Sequence, residues 1–237
     1  MRCLVFVERK IDTIMRPLSL DRISTGPNIG ALSQTRLMSI FASKNVHPES
    51  FYLTGFEGIC VEADHATLTE AVISSAIPLD GELLIVGNGE ATNLWCKLAI
   101  KLNIAVSLLN STYDNLIEIL EAMLSANRNI SHIICSSELN LSTVRRIGRV
   151  VRRSRRSFVF DNSAYEISME NINEFGIDFL MTALDQDVDN PVSLLLARRS
   201  KLVQTEGNAR SVQHDIYALW QEVLGGRCSS LEPMPNE

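Results

Sequence analysis

GIDFLMTALDQDVDNPVSLLLARR, residues 176–199, carries the clearest indication of the fold. It holds two apolar runs separated by the polar segment DQDVDNP, and it ends in a pair of arginines. Short runs of aliphatic and aromatic residues are typical of buried β-strands, and a polar segment with Asn-Pro is typical of a turn. The stretch therefore predicts two neighbouring strands joined by a turn.

Similar apolar runs recur upstream, and most are separated by stretches with helical periodicity. Within residues 113–126, for example, Leu116, Leu120 and Met123 fall on one stripe of a helix. Strands that alternate with helices predict a mainly parallel sheet covered on both faces, in three α/β/α layers. Together with the two strands of the hairpin, the runs predict seven strands, at 57–62, 83–87, 104–109, 131–136, 157–161, 178–182 and 192–197.

Composition indicates one folded domain of good size with short appendages. The chain has 237 residues, of which 46% are hydrophobic and 21% charged, as in ordinary globular proteins. We predict an N-terminal arm and helix over 1–50, the α/β domain over 51–226 and a disordered polar tail over 227–237. The cysteines lack CxxC spacing, and no signal peptide or membrane-spanning run is evident, so we expect reduced thiols and a cytoplasmic protein.

Several blocks resemble the 2-aminoethylphosphonate:pyruvate aminotransferases, the class V branch of the pyridoxal-phosphate (PLP) fold type I. EGNARSVQHDIYALW (206–220) is similar to the family's Gly-Asn-Ala-Arg-Ser block and the helix after it. The order and spacing of further blocks also match, at 69–78, 83–91, 130–138 and 157–165. The resemblance runs from about 51 to 222 and implies the family's large domain, with its seven-stranded sheet. It also implies a small C-terminal domain, which this sequence does not contain.

The resemblance places Gln186 where the family has the lysine that bonds PLP. In the family the first strand of the hairpin runs into Ser-Ala-Asn-Lys, whereas here Gln186 stands between Asp185 and Asp187. A glutamine amide cannot form the bond that the lysine amine forms with the cofactor aldehyde. We therefore expect no PLP-dependent catalysis from this position, and no bound cofactor.

The family's phosphate cradle also looks degenerate. Asp64, His65 and Ala66 stand where the family has Ser-Gly-Thr at a helix N-terminus. Asp64 suits an N-cap, but its carboxylate would repel a phosphate, at a cost of about 4 kcal/mol per pair of unit charges 4 Å apart at a dielectric of 20. Among the positions that contact the cofactor ring, Ala91 replaces the stacking aromatic, while Asp161 matches the aspartate that pairs with the pyridinium nitrogen.

The segment VRRIGRVVRRSRR (144–156) carries arginines along the outer face of one predicted helix, from Arg145 to Arg156. Such a face is typical either of a solvated helix or of a patch that binds nucleic acid or another polyanion. The net charge of −6 and the lack of interleaved aromatics favour the solvated helix. Binding of nucleic acid or of a membrane is therefore not expected, but a polyanion-binding module remains an alternative.

These features favour a truncated, degenerate and non-catalytic relative of the family, acting as a scaffold or partner subunit or persisting as a relic. Because family members pair through the large domain, we expect a homodimer or a heterodimer with a full-length paralogue. One alternative is a PLP-dependent transaminase of 2-aminoethylphosphonate and pyruvate that another subunit completes. The other is the polyanion-binding module formed by the arginine helix.

Overall fold

An eight-stranded sheet forms the centre of the fold in the computed structural model, which describes residues 3–6, 55–61, 63–163, 172–185, 191–210 and 215–221. The strand order is β1-β2-β8-β7-β6-β5-β3-β4. The strands are β1 Cys3–Phe6, β2 Phe56–Val61, β3 Glu82–Val86, β4 Ala105–Leu109, β5 Ile130–Ser136, β6 Ser157–Asp161, β7 Phe179–Asp185 and β8 Val192–Arg198.

The central strands confirm the α/β prediction. Strands β4, β3, β5, β6 and β7 pair in parallel, whereas β8 is antiparallel to both of its neighbours, β7 and β2. The stretch 176–199 thus supplies two adjacent central strands, and every residue of β8 except Arg198 is buried. All seven predicted strands are present within one to three residues of their expected ends.

One strand was not predicted. Cys3–Phe6 lies in the segment assigned to an N-terminal arm, yet it pairs antiparallel with β2 from Cys3 opposite Val61 to Phe6 opposite Gly58. It gives the sheet an eighth strand and covers the edge that β2 would otherwise expose. The helix predicted within residues 1–50 and the tail predicted over 227–237 lie outside the described residues.

Helices cover both faces of the sheet, as the alternating pattern predicts. One face packs against α1 His65–Ala76 and α2 Glu90–Lys101, and the other against α3 Leu116–Ala126 and α4 Leu141–Arg153. A short helix, α5 Arg199–Val203, follows the last strand, and residues 216–221 are helical. Within the described ranges, every helix is too short or too polar to cross a lipid bilayer.

Local sequence explains where α1 and α4 begin. The Asp64 side chain accepts a hydrogen bond from the Thr67 amide at 2.7 Å, and the Asn140 side chain accepts one from Thr143 at 2.9 Å. Both are N-caps, which satisfy amides that the first helical turn leaves free. In α4 the buried residues are Val144, Ile147, Gly148, Val150 and Val151, so the arginines lie on the outer side.

Two thiols, those of Cys60 and Cys135, and the imidazole of His132 are buried. Cys60, Cys96 and Cys135 are free thiols, and burial raises the pKa of Cys60 to about 12. Burial, with the added charge of Asp161, also raises the pKa of Cys135, which leaves both thiols unreactive as nucleophiles. Burial lowers the pKa of His132 to about 3, helped by the charge of Lys201.

Candidate functional site

Asp161 lies at the C-terminal end of β6. Open α/β folds bind their ligands just beyond the carboxyl ends of their parallel strands. Its side chain is only 4% exposed. One carboxylate oxygen, Oδ1, accepts a hydrogen bond from the Ser163 amide at 3.0 Å, so it also caps the turn that follows the strand. The structure therefore keeps Asp161 as a buried acid in the position that the resemblance assigns to the pyridinium partner.

The other carboxylate oxygen of Asp161 faces His65. His65 is the first residue of α1, and its Nε2 lies 3.0 Å from Oδ2 of Asp161. This is an ion-pair distance, although its alignment falls outside hydrogen-bond geometry, and neither ring nitrogen makes a hydrogen bond to a described residue. The imidazole thus lies directly against the oxygen that a pyridinium nitrogen would need.

The N-terminus of α1, where the resemblance places the phosphate cradle, is already capped by the protein itself. Asp64 is exposed and its side chain binds the Thr67 amide, which is one of the donors that a bound anion would use. The two residues after it, His65 and Ala66, are partly buried. A phosphate would have to displace a carboxylate from its own helix terminus, or sit beside it.

A second carboxylate occupies the N-terminus of α2. Gly89 is the N-cap of that helix, and a β-carbon on Gly89 would lie 2.2 Å from Oε2 of Glu138, so the carboxylate rests directly on this backbone. Negative charge is stabilised there by the helix dipole. Ala91, in the position of the stacking aromatic, packs partly buried against the apolar core and offers no ring.

The residue that the resemblance places at the lysine position is Gln186, which has no amine. This follows from the sequence, because Gln186 lies outside the described residues. Among the described lysines, Lys101 binds Glu70 at 2.8 Å, Lys97 is exposed on α2 and Lys201 lies in α5. None of these three lysines makes an ion pair or a hydrogen bond with Asp161 or His65.

The residues present do not fit PLP. His65 lies against Asp161, which the resemblance assigns to the pyridinium nitrogen. Asp64 caps the helix that the resemblance assigns to the phosphate, and alanine stands at the position it assigns to the stacking ring. A bound phosphate dianion would also meet the unneutralised carboxylate of Asp64. Nor do the described residues contain a group of three His, Cys, Asp or Glu side chains that could hold a metal ion.

Two contacts of the site were missed by sequence reasoning. The approach of His65 to Asp161 joins residues far apart in the chain, and no local pattern signals it. The contact of Glu138 with Gly89 is of the same kind, although the acid after β5 and the glycine after β3 were each visible. Both contacts lie at positions that the resemblance assigns to the cofactor site.

Comparisons with known proteins agree with the resemblance. No family model matches the chain. It is 27% identical over 181 residues to the 2-aminoethylphosphonate–pyruvate transaminase of Bacteroides fragilis, covering 72% of this chain and 50% of the relative. It is 26% identical over 192 residues to the same-named protein of Syntrophobacter fumaroxidans, covering 76% and 51%. The chain thus spans about half the length of these curated relatives.

Solved structures with a similar fold include aminotransferases. The pyridoxamine-pyruvate aminotransferase of Mesorhizobium loti has a TM-score of 0.60 at 12% identity, covering 86% of this chain and 53% of that one. The ureidoglycine-glyoxylate aminotransferase of Bacillus subtilis has a TM-score of 0.56 at 14% identity, covering 83% and 59%. The chain therefore shares the fold of these aminotransferases, and it is similar in sequence to the 2-aminoethylphosphonate–pyruvate transaminases.

Proposed function

We propose that the chain is a non-catalytic relative of the 2-aminoethylphosphonate–pyruvate transaminases, acting as a scaffold or partner subunit. The observation that carries this proposal is the contact of His65 with Asp161, 3.0 Å between Nε2 and Oδ2. It occupies the acid that would make PLP an electron sink, at a site where glutamine already replaces the lysine. His65 thus opposes the binding of PLP, and Gln186 lacks the amine that PLP chemistry requires.

The proposed role is interaction with another protein of the same fold. Large domains of this family pair, and this one keeps a complete sheet with both faces covered. We propose a homodimer or a heterodimer with a full-length paralogue, in the cytoplasm. The free, buried thiols of Cys60 and Cys135 support a reducing compartment.

The competing function is transamination of 2-aminoethylphosphonate and pyruvate, completed by another subunit. The names of the relatives favour it. It would require the partner to supply a lysine and to move His65 away from Asp161. The described contacts do not favour a movement of His65 away from Asp161. Asp64 and Asp161 each make a local hydrogen bond that holds the adjoining backbone in place.

Alanine formation separates these functions. The purified chain is incubated with PLP, 2-aminoethylphosphonate and pyruvate, alone and mixed with a full-length family transaminase that keeps its cofactor lysine but is inactivated by changing the aspartate that corresponds to Asp161 to alanine. We expect no alanine above background in either reaction, while the unmodified transaminase serves as the positive control. Alanine produced only in the mixture would replace the non-catalytic proposal with the completed-transaminase alternative. Size-exclusion chromatography of the same mixture reports whether the two chains pair.

A further inference from the structure

The outer end of α4 borders two neighbouring clefts on the side of the molecule that bears the arginines. The larger, of about 460 Å³, lies between α4 and the turn 172–176. The smaller has a volume of about 220 Å³ and shares Arg152 and Gly176 with it. Four cations line the smaller cleft, together with a glycine and one acid: Arg152, Arg155, Arg156, Lys201, Gly176 and Asp178.

The one acid in the smaller cleft is already neutralised. Asp178 pairs with Arg198, with 3.1 Å between Oδ1 and Nε. By contrast, no described carboxylate lies within ion-pair distance of Arg155, Arg156 or Lys201. The smaller cleft therefore holds a local excess of positive charge, although the whole chain carries −6.

One cation in this cleft lacks an acceptor. Nε of Arg156 is buried and makes no hydrogen bond to the described residues. Buried polar groups are nearly always satisfied, and leaving a charged donor without an acceptor costs more than leaving a neutral one. Arg156 lines the smaller cleft, so an oxygen-bearing anion bound there would offer an acceptor to its guanidinium group.

The helix terminus beside the cleft does not repel such an anion. Free carbonyls at a helix C-terminus carry partial negative charge. In α4, however, the amides of Ser154, Arg155 and Arg156 donate to the carbonyls of Val150, Arg152 and Val151, at 3.0 to 3.1 Å. Because these acceptors are satisfied, the charges of the arginines dominate the potential in the cleft.

We propose that the smaller cleft binds a phosphate group, either as a free compact anion or on a small phosphate ester. Guanidinium groups present parallel N–H donors that match phosphate oxygens. The volume of the cleft is several times the ~30 Å³ of a water molecule, which suits a compact anion. None of its described lining residues is aromatic, so none of them can stack on a nucleic-acid base.

The cleft is separate from the transaminase-like site. Arg155 and Arg156 precede β6, while Asp161 ends the same strand, so the two sites lie at opposite ends of the strands. Lys201 lies in α5, which begins where β8 ends. Because β8 runs antiparallel to β7, the C-terminal end of β8 lies at the same end of the strands as Arg155 and Arg156. Binding in the cleft therefore does not depend on PLP chemistry.

Calorimetric titration with inorganic pyrophosphate at low salt tests the proposal. We expect saturable binding by the unmodified chain that weakens as salt is raised. Arg155→Glu should weaken binding by about tenfold, since it replaces an attraction by a repulsion. Lys97→Glu makes the same charge change on α2, which packs on the opposite face of the sheet, and should leave affinity within about twofold. Thermal melts verify that both variants fold.

Three results would overturn the proposal. The first is no saturable heat with pyrophosphate from the folded, unmodified chain. The second is equal weakening by Lys97→Glu and Arg155→Glu, which would assign binding to overall charge. The third comes from a parallel titration with a single-stranded thymidine oligonucleotide. If the oligonucleotide binds and pyrophosphate does not, the arginine face recognises a polymer and not a compact phosphate.

Discussion

Replacing Gly148 by alanine is expected to lower the free energy of unfolding by about 3 kcal/mol or more. Gly148 is buried in α4, where the turn 172–176 crosses the helix. A β-carbon at this position would lie 1.7 Å from the carbonyl oxygen of Phe175, and that oxygen belongs to backbone. The turn and the helix would have to separate, and the packing of Phe175 would be lost with them.

This result would run against helix propensity, which makes the test informative. Alanine in a helix interior is normally favoured over glycine by about 1 kcal/mol. Urea unfolding of Gly148→Ala is compared with that of Asn93→Ala, which alters an exposed side chain of α2 and should change stability by less than about 0.5 kcal/mol. A Gly148→Ala chain as stable as the unmodified one would show that the turn does not pack against the helix in this way.

Replacing Arg210 by alanine should cost about 3 kcal/mol of stability without involving any catalytic role. The guanidinium of Arg210 donates to the carbonyls of Ser74, Ile77 and Pro78, at 3.2, 2.7 and 2.9 Å. These carbonyls lie at the C-terminal end of α1, where a cation also complements the helix dipole. The Arg210 amide adds a hydrogen bond to the Ser74 hydroxyl at 3.0 Å.

Arg210→Lys and Arg146→Ala serve as the comparisons for this variant. The lysine keeps the charge but not the fork of donors, so we expect it to recover only part of the lost stability. Arg146 is exposed on α4, and its removal makes the same charge change with an expected loss of less than about 0.5 kcal/mol. A loss below about 1 kcal/mol for Arg210→Ala in chemical denaturation would mean that the Arg210 contacts do not stabilise the fold.

The Arg210 contacts also explain why the block at 206–220 resembles the family so closely. Arg210 joins this block to the serines of the block at 69–78, and the Ile216 amide donates to the Ser75 hydroxyl at 3.1 Å. Two of the blocks that carry the resemblance therefore meet in space and hold α1 in place. The contribution of these two blocks to folding is enough to explain their presence, so their presence does not imply catalytic activity.

The sequence predicted the strands because each central strand is a continuous apolar run between polar turns. It did not predict β1, because CLVF is short and only its pairing with β2 distinguishes it from an arm. The position of Asp161 followed from its place at the end of SFVFD. Its contact with His65 depends on how α1 crosses the sheet, and the requirement for glycine at 148 depends on where the turn 172–176 packs. Both are properties of tertiary packing and are invisible to local patterns.

Titration of the purified chain with PLP tests whether the chain has lost the cofactor. The cofactor is followed by its visible absorbance, and borohydride reduction with peptide mapping then identifies any lysine that has bonded it. We predict no saturable band at micromolar PLP and no trapped peptide, from a chain that still unfolds cooperatively. A saturable band fixed by borohydride to one lysine peptide would contradict the account, because it would show that the cofactor binds despite Gln186 and the contact of His65 with Asp161.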